Sequence, residues 1–533
     1  MVISQGVRQL IEEYGLWQKE SEVRQEEGVI SVDEVVARVA SFYEKIRGIV
    51  DWREEHLLRK TAIERILKRR LAISKVNENF AENFLSELVR GGHFPNHRIS
   101  LGKVDEIQKI IEKYVYITTV QRNGEKKDRK DSEAWVLGIA AVEIEEALSL
   151  PRRERALIEL MAEDLEKRIQ IATRKNEKEI QFTESEKKLQ TYVATQKALL
   201  KLDNSTITYH VLEKFYPDWR TPSEETLAYV AEHLDQLYEN TKKILSHPYG
   251  ERFYQLAEKY DTPYLILGDI LSEESDRFEE IVANPTELEE AIRQAYDKRH
   301  KKLRGRIGRA AFYSTLSVFL TKIVAALAVE LPFERAMGTD PNYLAIGVNI
   351  VIPPLLMLGL VASARTTSQR NFERVMVEVI KIIQVRDRQD IHKIFPPRER
   401  SGLLAGIVRG FYFFSFIFSF GALFLILQML QSSIFSTLIF LMFVSLVLFG
   451  GTRLRQRARE LMIESSSEGF FYNLFDVFAL PMIQVGRWLS GKFVRYNIFV
   501  LALNFLIEVP FQVFVEFLEQ WRGFLKEKKE EIH

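Results

Sequence analysis

Apolar positions in residues 1–300 recur at helical spacing, and no convincing period-two strand pattern appears. Val35, Val36, Val39, Phe42, Ile46 and Ile49 fall on one stripe, as on a helix whose side faces a core. Start signals precede several such runs: Ser31…Glu34, Thr183…Glu186, Thr221-Pro222…Glu224 and Asn284-Pro285…Glu287. In each, a side-chain oxygen can satisfy an orphaned N–H of the first turn, and the acid three residues on caps in return. Breaks are expected at Gly91–Pro95, Gln121–Asp131 and Asp261-Thr262-Pro263. The polar run Gln121–Asp131 reads as a linker between a helical domain over 1–120 and a second over 132–285. Residues 134–201 read as long, mixed-charge helices, suggesting a coiled-coil-like hairpin without a sustained heptad.

The pattern changes after residue 309. Ala310–Leu331 and Tyr343–Ala364 are each about the ~20 residues that a membrane-spanning helix requires. Leu403–Leu430 and Ser433–Gly450 form a second pair across the uncharged Gln431-Ser432. Phe411–Phe420 alone holds seven aromatic residues and no charge. A four-span bundle over 310–450 follows, entered through a basic helix over 286–309. The expected fold class is all-α: an N-terminal soluble helical region joined to a C-terminal multi-pass transmembrane bundle.

Flanking charge sets the orientation, because Lys and Arg collect in loops that stay cytoplasmic. Lys301, Lys302, Arg304, Arg306 and Arg309 precede the first span. Pro332–Asn342, after it, is near neutral. Nine Lys and Arg residues lie between Arg365 and Arg400, and Arg453, Arg455, Arg457 and Arg459 follow the fourth span. The alternation puts the N-terminal region and the C-terminus on the cytoplasmic side of the cell membrane. These nine named cations flanking the first and fourth spans are expected to contact lipid head groups.

The last region, 451–533, is expected to be amphipathic or re-entrant. Phe470–Val485 is short and holds Asp476 and Pro481, and Tyr496–Leu518 holds Glu508, Pro510 and Glu516. Two more spans would leave Arg487, Lys492 and Arg495 outside, against the charge rule. With Trp488, Tyr496 and Trp521 these cations read as interfacial anchors.

Composition sharpens the division. Of 74 basic and 74 acidic residues, only 23 and 18 lie from Ala310 onward, so charge is concentrated in the first three-fifths. Neither part is basic enough to point to nucleic acid. The absence of cysteine excludes disulfides, thiolate metal sites and cysteine nucleophiles. The opening MVISQGVRQLIEEYG lacks the basic start and apolar core of a cleaved signal peptide.

Candidate chemistry is sparse. Lys322 lies midway along the first span, where an ammonium costs at least ~2.5 kcal/mol and requires a polar partner. Arg409, Asp476, Glu508 and Asn349 are the other intramembrane polar candidates. Candidate partners for Lys322 are Glu508 and Asp476 in the last region and Glu330 further along the first span, although eight residues is too far for Lys322 and Glu330 to pair within one straight α-helix. Pro353-Pro354 is expected to bend the second span. Phe372, Val375, Met376, Val379 and Ile383 mark an amphipathic helix between the second and third spans. His93 and His97 flank Pro95 and complete no ligand set, and no phosphate loop, nucleophile elbow or cofactor signature is present. The expected function is a non-enzymatic, membrane-anchored scaffold whose cytoplasmic helices bind a protein partner. The alternative is a transporter or channel with a charged site around Lys322.

Overall fold

The computed structural model describes residues 3–23, 30, 55–122, 129–172, 182–338, 342–362, 369–384, 390–396, 402–458, 461 and 470–496, with 517, 521 and 524. The stripe over Val35–Ile49 and the Ser31…Glu34 signal lie outside these residues. The fold is all-α, with two three-residue strands among the described residues. The chain forms two units, one of Met1–Leu288, Glu378–Pro397 and Val509–His533, the other of Glu289–Val377 and Arg398–Glu508.

In the first unit the helices are α1 (Gln5–Val23), α2 (Glu55–Ile73), α3 (Phe80–Arg90), α4 (Gly102–Arg122), α5 (Arg129–Leu148) and α6 (Arg152–Arg168). Strand β1 (Ile169–Ile171) follows, then α7 (Glu184–Leu199), α8 (Asn204–Phe215), α9 (Glu224–Glu232), α10 (Leu234–Leu245), α11 (Gly250–Glu274) and α12 (Phe278–Ala283). Helix α5 is central. Val136, Ile139, Ala140, Ala141, Val142 and Ile144 are all buried on it, and α2, α4 and α8 pack around it. One hydrophobic core therefore draws on residues from both sides of Gln121–Asp131. Among the described residues of 134–201, Ser149–Pro151 and β1 separate three shorter helices, α5, α6 and α7, of which α6 and α7 pack together.

Thr183 caps α7 reciprocally: its hydroxyl accepts from the Glu186 N–H, and the Glu186 carboxylate accepts from the Thr183 N–H at 2.8 Å. At α9 the cap moves two residues from the expected Thr221, to Ser223, which accepts from the Thr226 N–H at 3.1 Å. Pro263 does not end a helix; it lies inside α11. Phe253, Ala257, Tyr260, Tyr264, Leu267 and Leu271 are buried along that helix. Packing on this scale outweighs the ~3 kcal/mol that an internal proline costs.

Part of the segment between the second and third apolar helices belongs to this unit. Strand β2 (His392–Ile394) pairs in parallel with β1, Ile169 opposite His392. Arg168 binds Asp390 at 2.6 Å, and the Ser4 N–H donates to the Ile383 carbonyl at 2.8 Å.

The second unit holds most of α13 (Pro285–Ala325), a π-helical turn (Ala326–Glu330), α14 (Leu331–Ala336), α15 (Tyr343–Ala362) and the start of α16 (Gln369–Ile383). It continues with α17 (Gly402–Met429), α18 (Ile434–Arg457) and α19 (Phe470–Tyr496). Among the described residues four helices are long and apolar enough to cross a membrane: Pro285–Ala336, Tyr343–Ala362, Gly406–Met429 and Ile434–Arg457. The core joins Leu360, Leu427, Phe440, Leu441, Val444, Leu448 and Met482. Pro353 and Pro354 are buried inside an unbroken α15. The expected amphipathic stripe of α16 is buried at Phe372, Val375, Val379 and Ile383. Phe470–Val485, the first part of the region read as re-entrant, lies within one helix, α19, which packs along α17 and α18 with Pro481 inside it; most of Tyr496–Leu518 lies outside the described residues.

Candidate functional site

The polar groups of the second unit converge on its interior. Lys322 and Glu330 are both 0% exposed, and the Lys322 ammonium donates to Glu330 Oε1. In a regular α-helix, eight residues turn a side chain about 80° past its starting face. The wider π turn takes fewer degrees per residue and brings Glu330 back toward the face of Lys322. The ammonium also stands over the Phe443 ring, 5.3 Å from its centroid.

Glu330 has a second partner: Ser436 Oγ donates to its Oε2 at 2.6 Å. Asn349 Nδ2 donates in turn to Ser436 Oγ at 3.0 Å and lies 3.4 Å from Ser432 Oγ. Asn349 is fully buried, and its Oδ1 has no hydrogen-bond partner among the described residues. Nearby, Ser433 Oγ donates to Glu334 Oε1 at 2.5 Å and accepts from the Ser436 N–H as the cap of α18. Asn342 caps α15 and donates to the Leu430 carbonyl at 3.0 Å. A cavity of about 230 Å³ is lined by Glu334, Asn342, Gln431, Ser432, Ser433 and Ser436, with Ala345 and Ile346.

Of the other intramembrane candidates, Arg409 is exposed on α17, Asp476 falls on α19, and Glu508 lies outside the described residues. Lys301, Lys302, Arg304, Arg306 and Arg309 are exposed on α13, as are Arg453 and Arg457 on α18. Arg455 departs from the expected lipid-facing set, being only 8% exposed, and Arg459 lies outside the described residues.

The first unit contains a second polar cluster that the sequence reading missed. Lys113 binds Glu143 at 2.6 Å and donates to the Trp219 carbonyl at 2.7 Å. Tyr114 Oη also donates to Glu143, at 2.6 Å, and accepts from Trp219 Nε1 at 3.0 Å. One turn on, Glu146 lies 2.6 Å from His210 Nε2 and is paired with Arg155. His210 Nδ1 is 2.6 Å from Gln196 Oε1. Glu145 takes two bonds from Arg59, at 2.8 and 2.9 Å.

Burial raises the Glu143 carboxyl and lowers the Lys113 ammonium, outweighing their mutual attraction. It pushes Glu145 up to about 7 against the pull of Arg59. Burial also pushes Glu146 upward, but His210 and Arg155 overcome it and hold that carboxyl below the usual range. The signal was present as Glu143-Ile144-Glu145-Glu146 inside an apolar run: three carboxylates on a helix buried all round must each find a partner. For the buried cluster of the second unit it was Ser432, Ser433, Ser436 and Thr437, spaced to share a helix face.

Among the described residues no group of three or more His, Asp or Glu side chains is placed to hold a metal ion. No protein-family model, curated protein or solved structure matches this chain.

Proposed function

We propose that the chain is a multi-pass membrane protein whose second unit anchors a cytoplasmic helical region that binds a protein partner. The observation that carries the membrane reading is inverted polarity in the second unit. Lys322, Glu330, Asn349, Thr437 and Ser445 are buried at 0% exposure, whereas Phe411, Phe413, Phe414, Ile417 and Leu425 are all more than half exposed. In water such an apolar surface would aggregate; in lipid it is the matched solvent. Two spans between the N-terminal region and Glu378–Pro397 return the chain to its starting side. That is consistent with β2 pairing with β1.

The scaffold role rests on proportion and on the closed state of the ion pair. Most of the first unit is helical core, and Lys322 and Glu330 neutralise each other. The lipid partners are the head groups beside the exposed cations of α13 and α18.

The test is cross-linking in intact membranes followed by mass spectrometry. A stoichiometric partner attached through residues 1–288 supports the scaffold; the protein emerging alone as a defined oligomer overturns it. Orientation is tested separately with single cysteines, since the chain has none of its own. Lys188→Cys should label only from the cytoplasmic side and Thr339→Cys only from the opposite side.

The second reading is a transporter or channel, favoured by the polar cavity that meets the Glu330 network at Ser436. It requires flux in reconstituted vesicles that Ser436→Ala alters while the protein stays folded.

A further inference from the structure

The nine flanking cations are not equivalent. Arg306 and Arg457 engage other groups of the protein, and Arg455 is buried. Lys301, Lys302, Arg304 and Arg309 are exposed and make no ion pair or hydrogen bond among the described residues. At 100° per residue these four occupy the side of α13 opposite the buried Ile292, Tyr296, Ile307 and Ala310. Gly308 falls on the same side, and a Cβ there would meet open space.

The same helix continues without a break into Phe312, Tyr313, Leu316, Phe319 and Leu320, all exposed apolar or aromatic residues. Arg309 lies three residues, or about 4.5 Å of helix rise, before Phe312, and Lys301 about 12 Å further back. The head-group layer on each side of a bilayer is roughly 5–8 Å deep, so Arg309 and Arg304 fall within it, and Lys302 and Lys301 reach back to it along their long side chains.

We propose that this face of α13 is a binding surface for anionic phospholipids, with Arg309, Arg304, Lys302 and Lys301 held against their phosphate groups. The inference rests on the membrane reading and adds a selectivity to it. A neutral lipid presents the same phosphate beside its own ammonium. Four cations without acidic partners among the described residues therefore discriminate by net head-group charge, not by shape. Each contributes roughly fivefold to the preference.

The test uses the full chain carrying Gly308→Cys with a fluorophore, reconstituted in phosphatidylcholine vesicles. Quenching by brominated phosphatidylglycerol is compared with quenching by brominated phosphatidylcholine. The expected result is a preference for phosphatidylglycerol of at least about fivefold, collapsing in 1 M salt as screening shortens the range to ~3 Å. Arg309→Gln alone should lower the ratio by roughly fivefold, and the Lys301, Lys302, Arg304 and Arg309→Gln quadruple variant should remove it. Equal quenching by both lipids in the parent overturns the selectivity and leaves the membrane reading standing. So does a preference that survives in the quadruple variant. Absence of quenching by either lipid overturns both.

Discussion

The Lys322 ammonium and the Glu330 carboxylate are joined within one helical run, and the π turn between them makes an eight-residue spacing close. Both are sealed from solvent, so the pair is an all-or-nothing element. Removing one partner leaves an uncompensated charge in an apolar bundle; removing both leaves a hydrophobic contact with Phe443. Lys322→Met and Glu330→Gln are each expected to lower stability in detergent by about 3–5 kcal/mol. The Lys322→Met, Glu330→Leu double variant should recover most of that loss. Thermal unfolding of the four proteins checks this, and additive losses in the double variant would refute the pairing.

Gly486 sets the approach of α19 to α18. A Cβ at that position would stand 2.0 Å from the Ser445 carbonyl oxygen and 2.8 Å from Phe449 Cβ. Small residues at such crossings let two helix backbones approach closely. Gly486→Ala should cost about 1–3 kcal/mol, and Gly486→Leu more. Gly491, where a Cβ meets nothing, should accept alanine with little loss. Unfolding in detergent distinguishes the two sites.

Glu145 should make stability fall with rising pH. Its carboxyl titrates near 7 in the folded chain and near 4.3 when unfolded. A raised acid contributes stability that is complete below the unfolded value and lost as pH climbs through the folded one. Relative to Glu145→Gln, the native chain should lose roughly 3 kcal/mol between pH 4.5 and 8. Unfolding curves for the two proteins that stay parallel over that range would refute it.

Asn371 joins two stretches of the second unit by donating to Tyr296 Oη at 3.0 Å and to the Leu461 carbonyl at 2.6 Å. Asn371→Ala leaves a buried carbonyl and phenol short of a donor, at a cost of about 1–3 kcal/mol. Faster amide hydrogen exchange around Leu461, relative to Asn342→Ala, is the expected sign.

The helical class and the four apolar helices were legible because each is written in a local period. Lys322 and Asn349 stood out because lone polar groups in apolar runs are conspicuous. Their mutual arrangement was not legible. Pairing Lys322 with Glu330 depends on a π turn that no residue in Ala326–Glu330 announces, and Ser436 reaches Glu330 from another helix. Helix continuity through Pro263 was hidden for a similar reason: the burial that overrides the proline is tertiary. The ionic network around α5 was half visible, since three acids on a buried helix demand partners but do not name Lys113, Arg59 or His210.

The β1–β2 ladder has a consequence for biosynthesis. Arg168 and Asp390 are 222 positions apart, and the two apolar helices Pro285–Ala336 and Tyr343–Ala362 are made in between. At about 5–20 residues per second, β1 waits on the order of 10–40 s for its partner strand. The β1–β2 ladder thus cannot close on the ribosome until both apolar helices have been made.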